Sequence, residues 1–368
     1  LAVYARSLRD LHRRVSRIAG DLGFGVRHFE PLLFRIGLGV VRIVRRHRII
    51  GQRMGQERRC LDGAGREADD LQVGVAVHLA VDLQLAAEQA PADPGLEQDR
   101  GGPGAIGEVV SMQHMEPIEH IHMSHSYVRG NWHNSKQTTP IILAKSCHDL
   151  DIMRWMIGKP CKSISAFGDL KWFTKKNAPA GSTERCTDGC RVEGECPYSA
   201  LEIYYRKRQR NYVFDLPEDK DKQAEYVLQQ LKTTNYGRCV YRMDNDQPDH
   251  YITNILFDDQ VTASFSMEAF TSYEGRRTRV MGSHGDIVGD MTAFTITNFK
   301  SGKTEEWKET TDGHGGGDWR LAENWVQAVA QRNPALLTST IDQSIESHVM
   351  GFMAEESRKT KKVMDIKM

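Results

Sequence analysis

The chain has 368 residues and carries 49 basic and 49 acidic side chains, so its formal charge is zero and nothing global draws it toward nucleic acid. That length suggests two domains and a sizeable core, and no window approaches about 18 uncharged apolar residues, so no membrane span is expected. Seven cysteines are too few for a disulfide scaffold at this length, which favours reduced thiols and a cytoplasmic setting.

The chain opens on Leu1, which suggests a fragment or an edited start, and no charged-then-apolar leader is visible. Residues 1–100 contain sixteen Arg but no Lys, Asn, Thr or Trp, whereas the remainder holds eighteen Lys, fifteen Arg and all six Trp. The codons of Lys and Asn begin AA and those of Thr begin AC, so three of the four missing residues share a codon class. Residues 1–103 are therefore expected to be an aberrant stretch, from rearrangement, frameshift or wrong-strand reading, and poorly ordered. A genuine arginine-rich domain is the alternative. "VYARSLRDLHRRVSRIAGDLG" offers Leu8, Leu11, Val15 and Ile18 at helical spacing, and "LQVGVAVHLAVDLQLAAEQA" suits either a strand or a buried helix. Arg outnumbers acid fourteen to four in residues 1–59, which reads as a solvated face without interleaved aromatics. "GAGREA" (Gly63, Gly65, Ala68) fits G-x-G-x-x-A with Asp82 at about the right distance, but no strand precedes it. "RIGLGVVR" (Gly37, Gly39) has a strand before it but places Arg42 where a small residue is needed. Neither is a convincing dinucleotide fingerprint.

From residue 104 the patterns become regular. Residues 107–114 alternate as a strand. "HMEPIEHIHMSHSYVRGNWHN" follows, where His125, Arg129, Asn131 and Trp132 are expected to line a polar cleft for a hydroxylated ligand. The i, i+2 histidine spacings share a face only on a strand, which argues against a metal there.

"LAKSCHDLDIMRWMIGKP" then reads as a helix. Ser146 and Asp149 have capping-box spacing, Leu150, Met153 and Ile157 recur on one face, and Gly158 with Pro160 ends it. His148 falls in the first turn with Lys145 just outside. A helix N-terminus and a neighbouring ammonium both disfavour imidazolium, so His148 is expected to be neutral near pH 7 and able to accept a proton from a substrate hydroxyl. The competing reading is a histidine that only caps or packs. Lys145 and Asp151 complete the candidate catalytic group.

A strand is predicted over 163–173. "CTDGCRVEGEC" has neither the C-x-x-C pairing of zinc sites nor a known cluster run. Cys186, Cys190 and Cys196, with Cys239 as a fourth ligand, are candidates for a structural zinc, against a loop of buried or free thiols. Residues 251–270 read as two strands joined at Asp258–Gln260, and the meander continues with turns at Gly282–Gly285 and Ser301–Gly302. "GHGGGDW" is a glycine loop placing His314 and Asp318 at a helix start, able to close over a substrate or merely to cap. Helices are predicted over 318–332 and 339–362. The pattern implies an α+β domain over 104–368: a large, mainly antiparallel sheet with helices on one face, its other face free to line a site or to pair with another subunit as a homo-oligomer.

"GAIGEVVS", "HSYVRGNWHNS", "AKSCHDLDIMRWMIGKPC", "RCTDGC…CPYSA", "GRCVYRMDNDQPDH" and "DGHGGGDWRL", in that order, resemble the C-terminal domain of the Gfo/Idh/MocA oxidoreductases over about residues 104–368. The resemblance implies hydride transfer between a sugar or polyol and NAD or NADP, with the family's H-x-x-D element on His148 as base and Asp151 as its orienting partner. Two departures stand out. Many members carry Asp where this chain has Ala144, and the family's nucleotide domain ends in Glu-Lys-Pro, whereas no lysine precedes Lys136 here. The expectation is an oxidoreductase of this type whose cofactor binding is impaired because the Rossmann domain is replaced by the atypical segment. The alternatives are an inactive carbohydrate-binding or dimerisation module and, ranked lowest, a zinc-dependent structural protein.

Overall fold

The computed structural model describes residues 105–290, 292–308, 317–337 and 339–367, and leaves out the side chains of 317–320. The readings of residues 1–103, including both glycine patterns and Asp82, lie outside the described residues, as do His314 and the side chain of Asp318.

Nine strands form one sheet in the order β8-β7-β6-β5-β1-β4-β3-β2-β9. They are β1 (Val109–Pro117), β2 (Cys161–Asp169), β3 (His250–Phe257), β4 (Thr262–Glu268), β5 (Arg277–Gly282), β6 (Gly285–Asp290), β7 (Ala293–Asn298), β8 (Thr304–Lys308) and the short β9 (Met364–Asp365). Every pairing is antiparallel except β1–β4, where Ser111 stands opposite Thr262 and Pro117 opposite Glu268. The anticipated turns at Asp258–Gln260, Gly282–Gly285 and Ser301–Gly302 each separate consecutive paired strands.

Helices cover one face. After β1 the chain makes a short helix α1 (His120–His122), which opens into wide π-helical turns over Met123–Arg129, all seven of them buried. Then come α2 (Ile141–Ala144), α3 (Cys147–Ile157), α4 (Lys220–Thr233), α5 (Gly317–Gln331) and α6 (Ile341–Thr360). Alternation along the strands builds the core: Met112, Ile164, Ala166, Tyr251, Ile255, Phe265 and Met267 join Leu150 and Met153 of α3 and Met350 and Ala354 of α6 in one cluster. α6 lies tightly on α2 and α3. A Cβ at Gly351 would stand 2.5 Å from Leu143 Cδ2 and 3.5 Å from Leu150 Cδ1, so any larger residue there would have to displace the Leu143 side chain. A smaller cluster around Tyr204, Phe214, Val227 and Leu231 anchors α4.

The strand predicted over 163–173 ends earlier, at Asp169. The Asp249 carboxylate accepts hydrogen bonds from the backbone N–H groups of Lys171 (3.0 Å) and Trp172 (2.6 Å) and pulls the chain off the sheet. No helix among the described residues is long and apolar enough to cross a membrane.

Candidate functional site

α3 forms where expected, with Gly158 as its left-handed C-cap at φ 69°, but the capping box is absent. The Ser146 side chain caps nothing, and its buried hydroxyl has no hydrogen-bond partner. Asp149 points instead into the interior. Its Oδ1 accepts from Arg276 Nε (2.6 Å) and from His114 Nε2 (3.0 Å). With Nε2 carrying the proton, His114 Nδ1 accepts from the Thr278 hydroxyl at 2.8 Å. Burial pushes the Asp149 carboxyl up, but Arg276 and the His114 hydrogen bond outweigh it and hold the acid well below the usual carboxylate range.

The sheet aligns these partners. His114 and Thr278 are register neighbours on β1 and β5, and Arg276 immediately precedes β5. Arg276 Nε also lies 3.2 Å from Glu116 Oε2, and Glu116 Oε1 lies 3.4 Å from Lys145 Nζ. Glu116, Lys145, Asp149 and Arg276 are all buried. Two anions and two cations therefore offset one another in a fixed lattice beside the first turn of α3.

His148 lies over this lattice, half-buried, with Cys147 Sγ 3.4 Å from its Nδ1. Burial pushes its imidazole down to about 4. Arg276, Lys145 and His348 add to that, and Asp149 opposes them. The ring is neutral near pH 7, with one nitrogen able to accept, as the sequence suggested, though burial rather than the neighbouring ammonium is the largest cause. The adjacent Cys147 thiol is pushed up to about 11, by burial first and then by Asp149, so it stays protonated.

Asp151 is turned toward α6. Its carboxyl is raised by burial and held back by a hydrogen bond from Ser347 and by His348 and Arg154. The carboxylate on the lattice next to His148 is Asp149, which the sequence reading had assigned to a cap.

The anticipated polar cleft is not formed by the named residues. His125 is fully buried, bonded through Nδ1 to the Tyr204 hydroxyl (2.7 Å) and stacked on Tyr236 at 5.3 Å. Arg129 is 1% exposed. Its Nε donates to Arg238 O (2.8 Å) and its Nη2 to Tyr198 O (2.7 Å). Both residues lie in the buried π-helical turns that follow α1. Asn131 is exposed, and Trp132 packs partly against the core. Cys186, Cys190, Cys196 and Cys239 are free thiols, and among the described residues no three His, Cys, Asp or Glu side chains are grouped so as to hold a metal ion as they stand, so the zinc expected from the sequence finds no support in this arrangement. Glu116, His114 and Arg276 were missed. Their only sequence signal was a charged or polar residue on the inward face of an alternating strand, or beside one.

Residues 103–366 match the profile of the oxidoreductase family's C-terminal alpha/beta domain (GFO_IDH_MocA_C). YteT of Bacillus subtilis (strain 168), a protein named among the oxidoreductases, is 26% identical over 241 residues, which is 60% of this chain and 54% of that protein. The chain thus spans about half the length of this curated relative. A levoglucosan dehydrogenase solved with NADH and levoglucosan aligns at 12% identity over 82% of this chain and 65% of its own, with a TM-score of 0.47. The UDP-N-acetylglucosamine 3-dehydrogenase of Acidithiobacillus ferrooxidans aligns at 10% over 76% and 60%, with a TM-score of 0.41. Similarity that low bears on neither chemistry nor substrate. The family match extends over most of the chain, and with it this protein belongs to the Gfo/Idh/MocA oxidoreductase family through that family's C-terminal α/β domain.

Proposed function

We propose that this chain supplies the substrate-binding and assembly domain of a nicotinamide-dependent oxidoreductase acting on a sugar or polyol, with His148 receiving the hydroxyl proton. The observation that carries the reading is a neutral imidazole in the first turn of α3, over the buried cations Arg276 and Lys145. An imidazole near 4 is a weak base at neutral pH, so it takes the proton only as loss of hydride acidifies the hydroxyl. Arg276 and Lys145 meanwhile favour negative charge on the substrate oxygen. Bound nicotinamide would be the hydride acceptor.

The junction between β1 and α1 does not offer a dinucleotide cradle. Such a cradle needs a glycine-rich turn from a parallel strand into an open helix N-terminus. β1 passes into α1 through Ile118 and Glu119, with no glycine, and the Glu119 carboxylate already accepts from Ile121 N (3.0 Å) and His122 N (2.9 Å). A phosphate there would meet a resident anion. The second reading is a carbohydrate-binding or dimerisation module without turnover.

Melting the whole chain against a panel of sugars and polyols, with and without NAD(H) or NADP(H), tests both. A stabilising hydroxylated ligand whose effect is lost in His148→Asn supports the site, and no stabilisation by any panel member defeats it. Stabilisation without nicotinamide reduction selects the module. Micromolar affinity for a nicotinamide dinucleotide would overturn the impaired cofactor binding expected from residues 1–103.

A further inference from the structure

The four thiols around Arg129 lie apart from the His148 site, with Cys239 in the main hydrophobic cluster, Cys196 packed against it and Cys186 in the smaller one. Cys186 and Cys239 lie on two short antiparallel stretches bridged at Arg185 and Arg238, where Cys186 N donates to Gly237 O (3.0 Å) and Cys239 N to Glu184 O (2.9 Å). That pairing, between segments some fifty residues apart in sequence, sets Cys186 opposite Gly237 and Cys239 opposite Glu184, so the two cysteines lie diagonally on one face. Gly189, at φ 74°, turns the chain back after Cys186 in a conformation that a side chain would strain, and returns it to Cys190. Two more turns, closed by Glu193 N to Cys190 O (3.3 Å) and Cys196 N to Glu193 O (3.3 Å), bring Cys196 to the same place. All four cysteines line one cavity of about 20 Å³, together with Arg129 and Tyr198. A volume on that scale admits a single water-sized occupant.

Two features of this pocket call for negative charge. The first is Arg129, buried to 1% exposure, whose Nη1 has no hydrogen-bond partner and whose Nε and Nη2 donate to the neutral carbonyls of Arg238 and Tyr198. A guanidinium removed from water with no anion beside it is costly. The second is Cys186 Sγ, approached by two donors, Ala200 N at 3.4 Å and Arg129 Nη2 at 3.9 Å. Both donors converge on one sulfur, which accepts from them.

From this convergence we propose that Cys186, Cys190, Cys196 and Cys239 bind one structural zinc ion, with Arg129 as the buried counter-charge of the tetrathiolate. Binding releases the thiol protons to solvent and changes no oxidation state. The resulting centre has a net charge of about −2, which the guanidinium partly neutralises while its N–H groups hydrogen-bond the sulfurs. The C-x3-C spacing of Cys186 and Cys190 falls within the range found in structural zinc loops. Seating the ion requires side-chain rotation that draws the sulfurs inward. The centre would pin the 186–196 loop to the Cys239 strand and so hold the base of the smaller cluster that carries α4.

The full chain, purified with a reductant and without chelator and then supplied with zinc, is expected to hold about one equivalent. A mercurial that titrates four thiols should release the zinc in step. After chelation, Co(II) should restore a thiolate-to-metal charge-transfer band and the visible bands of a tetrahedral centre. Cys186→Ser and Cys239→Ser should each abolish stoichiometric binding. Because either variant can fail to fold, Arg129→Gln provides a separate reading, with zinc affinity expected to fall about 10- to 100-fold while all four ligands remain. Zinc below about half an equivalent, an intact mass showing disulfides, no Co(II) charge-transfer band, or binding that survives both cysteine substitutions would each overturn the assignment.

Discussion

At the scale of single residues, His148 is the group whose behaviour is most exposed to test. Its folded value near 4 lies below the ordinary histidine value of 6.5. As pH falls from about 6.5 toward 4, the unfolded chain takes up a proton here that the folded chain refuses, so stability is lost across that window and is fully present above it. Urea unfolding at several pH values should show that slope in the wild type and a shallower one in His148→Gln. A side-chain NMR titration of His148 should have its midpoint near 4, and a midpoint close to 6.5 would remove the desolvation argument. The same residue shows what a linear pattern conveys and what it does not. The first-turn position and the adjacent Lys145 were legible because they are local. The carboxylate beside the ring was misjudged because Ser146 and Asp149 have capping-box spacing, yet Arg276, distant in sequence, competes for Asp149 and wins through a buried charge-assisted bond.

At the scale of elements, the tie between α3, α6 and β2 depends on one carboxylate. Glu346 of α6 accepts from Arg154 Nε of α3 at 2.7 Å and from the backbone N–H of Cys161 at the start of β2 at 2.7 Å. Both side chains of the ion pair are buried. Glu346→Gln retains the shape but leaves Arg154 uncompensated, so a loss of about 3 kcal/mol in urea unfolding is expected. The double change Glu346→Leu with Arg154→Met should cost less than the single one, because no buried charge is then left alone. If the double variant is the weaker, the pair is a net stabiliser and the argument reverses. The elements themselves were read well wherever their determinants are local. Hairpin turns and the periodicity of α3, α5 and α6 all lie within short windows. α4 and the π-helical turns after α1 escaped notice. The first has a weak apolar stripe, Val227 and Leu231, and the second is so uniformly buried, with polar His125 and Arg129 inside, that no period stands out.

At the scale of the whole molecule, a succession of hairpins suggested a simple meander, yet β1 inserts between β4 and β5 and is parallel to β4. Pairing across so long a separation leaves no local trace in sequence, and it determines which side chains share the open sheet face. Away from the helices, Phe167 of β2 and Ile252 of β3 are direct register partners, 52% and 50% exposed, among the polar residues Gln113, Ser165, Asn254 and Ser264. An exposed aromatic–aliphatic cross-strand pair on a broad flat face suits burial against a second copy, in which the same patch meets itself about a two-fold axis. We expect the chain to be a homo-oligomer through this face. Light scattering after size exclusion should give a mass above 41.7 kDa for the wild type, and Ile252→Lys should shift it toward the monomer without changing the cooperativity of unfolding. Because the substituted side chain points away from the core, a fall in mass without a collapse in stability would isolate the interface. An unchanged mass in Ile252→Lys, or a monomeric wild type, would instead show that this face serves no subunit contact.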